Sequence, residues 1–304
     1  MSLDTGHRVR KTSRRMADGR EIIYYDESPG LGRAKALDRR PLGYWPAGPG
    51  EISGPDENLS PSGLRWDALA GEWVIIAAQR QDRTFLPPPE ECPLDPSREG
   101  RLTEIPADDY DVVVFENRGE EIGVTLSHPH GQIYGYPFVT PRTERMLRQA
   151  RAHAAAGRAN LFDELVAGEL AAGIRVVGRN EHWIAFVPAA ARWPYEVVLF
   201  PARRVASLPD LTGAARQAFC TLYLDVLRRL DALFGMPLPY IAAWHQAPGG
   251  DPFARQEFGL HLQVLSIRRA PGKLKYLAGS ESGMGVWIND VLPEDAARRL
   301  REAG

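Results

Sequence analysis

Two short segments of like design limit most strongly how this chain folds. His130-Gly131-Gln132 opens one apolar run that continues to Tyr136, and His261-Leu262-Gln263 opens another late in the chain. Each copy sets strand-like runs and a helix-like stretch around its late His-x-Gln strand. A unit of roughly a hundred residues used twice suits a chain of 304 residues. A shared sheet or a pseudo-dimer would join the two. In an extended strand, side chains at i and i+2 point to the same face, so the His and Gln of each copy stand together.

The rest of the chain fits an α+β fold, a mainly antiparallel sheet with helices packed on it. Residues 1–62 alternate basic stretches with Gly and Pro and read as an arm, with only Glu21-Ile22-Ile23-Tyr24-Tyr25 as a strand. Residues 63–145 form the first repeat, with strands expected at 73–78, 111–115, 122–126 and 130–136. Residues 146–304 form the second. Helix formers fill 142–172 with a fresh start at Asn160, and strands are expected at 174–177, 182–187 and 196–200. The strongest helix follows: Leu211, Ala215, Phe219, Leu222, Val226, Leu230 and Leu233 recur at helical spacing, with Asp210 or Ser207 as cap and Gly235 as stop.

Composition narrows the partners. A formal net charge of −2 with 25% charged residues excludes a chain that coats nucleic acid. Cys92 and Cys220 are the only cysteines, and no apolar run is long enough to span a bilayer, so a reducing, cytoplasmic setting without a membrane partner is expected.

The chemistry concentrates in Ser127-His128-Pro129-His130-Gly131-Gln132-Ile133. A neutral imidazole is a good nucleophile, and its adduct with phosphorus is activated enough to pass the group on. A Gln two residues along can donate to phosphate oxygens without supplying a proton. A His-x-His metal site, or a structural pair beside a turn, is the rival reading of the same residues.

His128-Pro129-His130-Gly131-Gln132 resembles the active-site signature of galactose-1-phosphate uridylyltransferases, the transferase branch of the histidine-triad superfamily. Further segments keep that family's order: Leu64-Arg65-Trp66-Asp67 leading to Glu72-Trp73-Val74, Phe115-Glu116-Asn117-Arg118-Gly119, Trp193-Pro194-Tyr195-Glu196, Trp244-His245-Gln246-Ala247-Pro248 and Lys275-Tyr276-Leu277-Ala278-Gly279. The resemblance implies two histidine-triad-like repeats. It makes His130 the nucleophile, Gln132 the phosphate-binding amide, and Asn117, Gly123 and Thr125 phosphate-loop positions. Arg80 and Arg83 correspond to basic residues beside the sugar phosphate, and Lys275 and Glu281 to the sugar pocket. The implied reaction is ping-pong: UMP passes from UDP-glucose to His130, glucose 1-phosphate leaves, and galactose 1-phosphate collects the group. No organic cofactor and no nucleic acid take part, and a homodimer is expected.

The chain departs from that pattern in three places. Family members often hold a structural zinc through Cys-x-x-Cys, a further His and the first His of the signature. Here Cys92, Asp95 and His128 remain, one ligand short of a closed site, so zinc well below stoichiometric is expected. A second metal in some relatives uses one Glu and three His. His245 and His261 match two of these, Gln263 stands at the third, and Glu144 lies only near the carboxylate position, so no second metal is expected. Finally, Val112-Val113-Val114-Phe115-Glu116-Asn117 runs a first asparagine-bearing strand straight into a second, skipping a segment that helps relatives hold the base. Two alternatives follow: a nucleotide phosphorylase or adenylyltransferase of the same superfamily, and a degenerate paralogue that binds sugar nucleotide without turnover.

Overall fold

The computed structural model describes residues 10–15, 21–26, 62–67, 69–77, 111–125, 130–136 and 138–304. The chain divides into two compact units, residues 1–106 with 125–128, and residues 107–124 with 129–304.

The first unit contains two antiparallel hairpins, β1 (Arg10–Arg15) with β2 (Glu21–Asp26), and β3 (Ser62–Asp67) with β4 (Glu72–Ala77). β1 is an addition to the expected arm. Its run Arg-Lys-Thr-Ser-Arg-Arg has no apolar residue to signal a strand, yet it pairs with β2 along its whole length.

The second unit is built on one seven-stranded antiparallel sheet. Its strands are β5 (Asp111–Arg118), β6 (Gly131–Tyr136), β7 (Val176–Arg179), β8 (Trp183–Phe186), β9 (Tyr195–Pro201), β10 (Tyr240–His245) and β11 (His261–Ser266). They lie in the order β6-β5-β10-β11-β9-β8-β7, so the sheet runs across the boundary expected at 145/146. The register makes the repeat visible. Phe115, opposite Gln132, pairs with Ala243, which is opposite Gln263. The Phe115–Ala243 pair is therefore a seam about which the two His-x-Gln strands are placed alike, the self-complementary arrangement of a twofold contact.

Two helical layers cover this sheet unequally. One face packs on α3 (Gly213–Ala232) and α5 (Pro293–Glu302): Trp183, Ala185, Val197, Leu199, Leu262 and Val264 meet Leu222, Val226 and Leu230 of α3 and Ala296, Ala297 and Leu300 of α5. Each large apolar side chain buried there contributes about 1.5–3 kcal/mol. Trp183 adds a hydrogen bond from Nε1 to the Ala215 carbonyl, 2.7 Å. On the opposite face, α1 (Pro141–Ala155), α2 (Leu161–Ala172) and α4 (Pro252–Glu257) supply Leu147, Ala150, Phe162 and Ala254 against Ile184, Phe186, Val198 and Phe200. This second cover lies over β8 and β9. Two short strands, β12 (Arg268–Ala270) and β13 (Lys273–Leu274), form a separate ribbon.

Three expectations need correction. Of the strand expected at 122–126, the described residues 122–125 form none: Glu120–Ile122 is a 3-10 turn between Gly119 (φ 109°) and Gly123 (φ 82°), and buried Arg268 holds Glu121 at 2.5 Å. The long helix starts at Gly213, with the Thr212 hydroxyl accepting from Ala215 N at 3.1 Å. Ser207 and Asp210 instead cap their own 3-10 turn at Leu208–Asp210. The strand expected at 174–177 begins at Val176. The elements β3, β10, β12, β13, α4 and α5 are additions to the expected set.

Candidate active site

The segment Phe115-Glu116-Asn117-Arg118-Gly119 alternates across β5 in the way a strand demands. Glu116 and Arg118 turn to the face that α3 covers. Glu116 accepts hydrogen bonds from Tyr240 (2.6 Å) and Tyr223 (3.3 Å), and burial pushes the Tyr240 and Tyr223 hydroxyls above their usual range. Arg118 grips Asp231 and the Leu238 carbonyl (3.0 Å from Nε) and lies 4.7 Å over the Tyr240 ring. Gly119 ends the strand at a positive φ, with space for a Cβ taken by Pro239 at 2.7 Å. The strand is thus clamped from one side while Phe115 and Asn117 are presented on the other.

That other face carries the candidate nucleophile. His130 precedes the Glu116–Gly131 pair by one residue and so falls beside Asn117, while Gln132 lies directly across from Phe115. Tyr134 and Tyr136 continue the same row, with Tyr134 edge-on to Phe115 at 4.9 Å between ring centres. His130, Gln132 and Asn117 are each partly exposed, whereas Ile133 is 61% exposed on the reverse side. The amides of Asn117 and Gln132 have no hydrogen-bond partner among the described residues. The structure therefore brings three expected residues together, an imidazole and two amides able to donate to an anion. Farther along this face, Val113, Tyr136, Thr140, Thr143, Trp244, His245 and Gln246 line a cavity of about 190 Å³.

In the second copy the corresponding positions are covered. His261 is 6% and Gln263 2% exposed. The His261 ring lies between Phe200 (4.6 Å, 17°) and His245 (4.8 Å, 23°), and its Nδ1 donates to the Gly259 carbonyl at 2.8 Å. His245 Nε2 lies 3.4 Å from Gln263 Oε1, and Gln263 Nε2 donates to Glu196 Oε1 at 2.5 Å. The other Glu196 oxygen accepts from the backbone N–H groups of Arg192 (2.7 Å) and Trp193 (3.3 Å). Burial pushes the His261 imidazole down to about 4 and lowers that of His245, to which the neighbouring His261 and Arg142 add. Both rings are held neutral.

The galactose-1-phosphate uridyl transferase C-terminal domain family matches residues 146–303, and the N-terminal domain family of the same name matches residues 98–140. The galactose-1-phosphate uridylyltransferase of Streptomyces lividans is 40% identical over 370 aligned positions, which cover 97% of this chain and 98% of that protein. The chain belongs to the galactose-1-phosphate uridylyltransferase family. Membership makes it an enzyme of the uridylyltransferase class. The aligned length exceeds the 304 residues of this chain, so the Streptomyces protein carries segments without a counterpart here. The Thermotoga maritima enzyme of the same name is 37% identical over 63% of this chain and 59% of its own length. A solved uridylyltransferase structure is 36% identical with a TM-score of 0.60, over 64% of this chain and 60% of that one. An ADP-glucose phosphorylase from Arabidopsis thaliana shares the fold, at 23% identity and a TM-score of 0.56 over 64% of this chain and 59% of that one.

The other residues that the resemblance marks are placed less directly. Lys275 and Glu281 pair with each other (3.2 Å) with side chains 4% and 7% exposed, and Lys275 also donates to the Ile288 carbonyl. Gly123 is exposed at the end of its turn, and Thr125 lies two residues on in irregular chain. Arg80, Arg83, Cys92, Asp95 and His128 lie outside the described residues. For the second metal the donors do not fit: the set is two imidazoles and a neutral amide. Among the described residues no three His, Cys, Asp or Glu side chains gather closely enough to hold an ion.

Two charged residues around the second His-x-Gln strand were given no place there by the sequence. Arg142 is a half-buried cation that acts electrostatically on His245, His261 and Glu196, yet in sequence it is one Arg among several on α1. Glu196 did leave a signal. It is a lone carboxylate in Tyr195-Glu196-Val197-Val198-Leu199-Phe200, a strand buried on both faces, and a charge there requires partners.

Proposed function

We propose that the chain exchanges UMP between UDP-glucose and galactose 1-phosphate through a uridylyl-histidine at His130. The observation that carries this reading is the shared, partly open face of His130, Gln132 and Asn117, in a chain that belongs to this family. A ring nitrogen of His130 attacks the α-phosphorus. The N–P bond forms as the P–O bond to glucose 1-phosphate breaks, and the electron pair leaves on that oxygen. A phosphate oxygen of galactose 1-phosphate then attacks the same phosphorus, the N–P bond breaks, and the imidazole is restored. Charge gathers on the nonbridging oxygens in both steps, so preorganised neutral donors such as the Gln132 and Asn117 amides lower both barriers. An amide holds no acidic proton to hand to a leaving group, which favours transfer over loss of the adduct to water. Arg80 and Arg83 are read as contacts of the sugar phosphate, and Lys275 and Glu281 as residues of the sugar pocket.

The same reading assigns a cytoplasmic homodimer with at most partial zinc at Cys92, Asp95 and His128. Sedimentation at working concentration tests the assembly. UDP-glucose labelled in the uridine moiety tests the chemistry: label should stay on the denatured protein and be absent from His130→Ala, with exchange between UDP-glucose and glucose 1-phosphate abolished in that variant. Exchange that persists in His130→Ala would move the nucleophile elsewhere, and wild-type protein that binds UDP-glucose without label would mark a binder.

A further inference from the structure

We propose that the buried cluster of His245, His261, Gln263 and Glu196 is a metal-free replacement of a metal centre, closed by Gln263, and that the single change Gln263→His returns it to metal binding. The cluster is complete without an ion. Gln263 Oε1 accepts only, so His245 Nε2 carries the proton that faces it, and Gln263 Nε2 donates onward to Glu196. Glu196 is satisfied by that amide and by two backbone N–H groups. The His261 Nδ1 proton is taken by the Gly259 carbonyl, which leaves its Nε2 lone pair as the one unused ligand atom of that ring.

Three features nevertheless retain the outline of a metal site. The two imidazoles face each other at 4.8 Å, held by the Phe200 ring behind them. The 3.4 Å from His245 Nε2 to Gln263 Oε1 is long for a hydrogen bond. It is the spacing that two nitrogen ligands at about 2.1 Å from one tetrahedral ion would adopt. Glu196 stands behind position 263, where a carboxylate would hydrogen-bond the second ring nitrogen of a histidine ligand and orient it. What is missing is one basic nitrogen, since a neutral amide is a poor ligand for zinc-like ions where an imidazole is a good one. Gln and His have similar reach, so the substitution places a ring nitrogen close to the present Oε1. Arg142 supplies positive charge near Glu196 and both rings in the metal-free form, and repulsion from it should favour a more weakly bound ion than in an unopposed site.

Cobalt(II) is the probe, because its visible absorption reports coordination directly. Full-length wild-type protein, chelated and desalted, is titrated with Co²⁺ beside His245→Asn, Gln263→His and the double variant. The expected result is identical Co²⁺ uptake by wild type and His245→Asn. Gln263→His should gain about one equivalent with a tetrahedral-type spectrum, and His245→Asn should remove that gain. Wild-type uptake that falls in His245→Asn would overturn the proposal, because the cluster would already bind metal. A folded Gln263→His with no gain would overturn it equally. The first comparison stands even where Gln263→His fails to fold, and none of these readouts depends on turnover.

Discussion

Glu196→Ala should destabilise the second unit by far more than removal of a surface carboxylate. Its side chain is in a residue only 4% exposed and receives three hydrogen bonds, from Gln263 Nε2 at 2.5 Å and from the Arg192 and Trp193 backbone at 2.7 and 3.3 Å. Removal strands the buried Gln263 amide, and each orphaned buried donor costs about 1–3 kcal/mol. The backbone groups lie nearer solvent and recover water, and the relief of carboxylate desolvation offsets part of the loss. The net is about 2 kcal/mol, or about 4–8 °C in melting temperature for a unit of this size. Urea unfolding at neutral pH, followed by far-UV circular dichroism, measures it. Because Gln263 holds the far end of the same bond, Glu196→Ala with Gln263→Ala should cost less than the two single changes together, by about 1–2 kcal/mol. A loss below about 1 kcal/mol for Glu196→Ala, or strict additivity of the pair, would refute the account of the cluster as one coupled network.

Asn160 caps α2 by accepting from Phe162 N and Asp163 N (3.0 and 3.2 Å) and ties it to Glu257 through two further bonds (2.8 and 2.7 Å), so Asn160→Ala should cost about 2 kcal/mol in the same assay. Acid should weaken the fold through His261. The unfolded chain takes up a proton below its usual 6.5 while the folded ring resists to about 4, so stability is full above 6.5 and falls across that window. At about 1.4 kcal/mol per unit, the fall should be visible in melting temperature between pH 7 and 4.5, and His261→Phe should make it shallower. Gly119→Ala forces a side chain at φ 109° against Pro239 and should lower both stability and uridylylation rate, the latter read by label uptake on His130. Purified protein should carry well under one zinc per chain by atomic emission, and chelation should hardly move its melting temperature.

The sheet was legible wherever a strand is buried on both faces or alternates cleanly. Trp183–Phe186 and Tyr195–Pro201 stand out as apolar runs, and β6 through its alternation of His, Gln and Tyr. The helix α2 announced itself by Asn160. Other elements were hidden for physical reasons. Residues 122–126 have a strand's composition, but the positive-φ glycines Gly119 and Gly123 close Glu120–Ile122 into a 3-10 turn just where the strand would start, which composition does not encode. The boundary of α3 was missed because two cap signals stand five residues apart, and only the structure assigns Ser207 and Thr212 to different turns. α5 did carry its signals, Pro293 at the first turn with Glu294 and Asp295, and Arg299 and Arg301 in the last. At the candidate site, the signature pointed to His130 and Gln132 and the Phe115–Gly119 segment to Asn117, and the β5–β6 register places the three on one face. The closure of Gln263 onto Glu196 could not be read, because it joins residues 67 apart that only the β9–β11 register brings side by side.

The unequal cover on the two copies has a consequence for how this protein tolerates change. His130 and His261 occupy like places about the Phe115–Ala243 seam, but one is partly open and the other is caged by Phe162, Phe200 and Phe258. A substitution at the open position should silence the enzyme and leave its melting unchanged, whereas one at the caged position should lower the melting and touch turnover only through the fold. With His130 as the proposed nucleophile, the two His-x-Gln strands divide two demands that compete in most active sites. On that reading, mutational drift can tune the chemistry of one copy without loosening the core, because the other copy is the one packed into it.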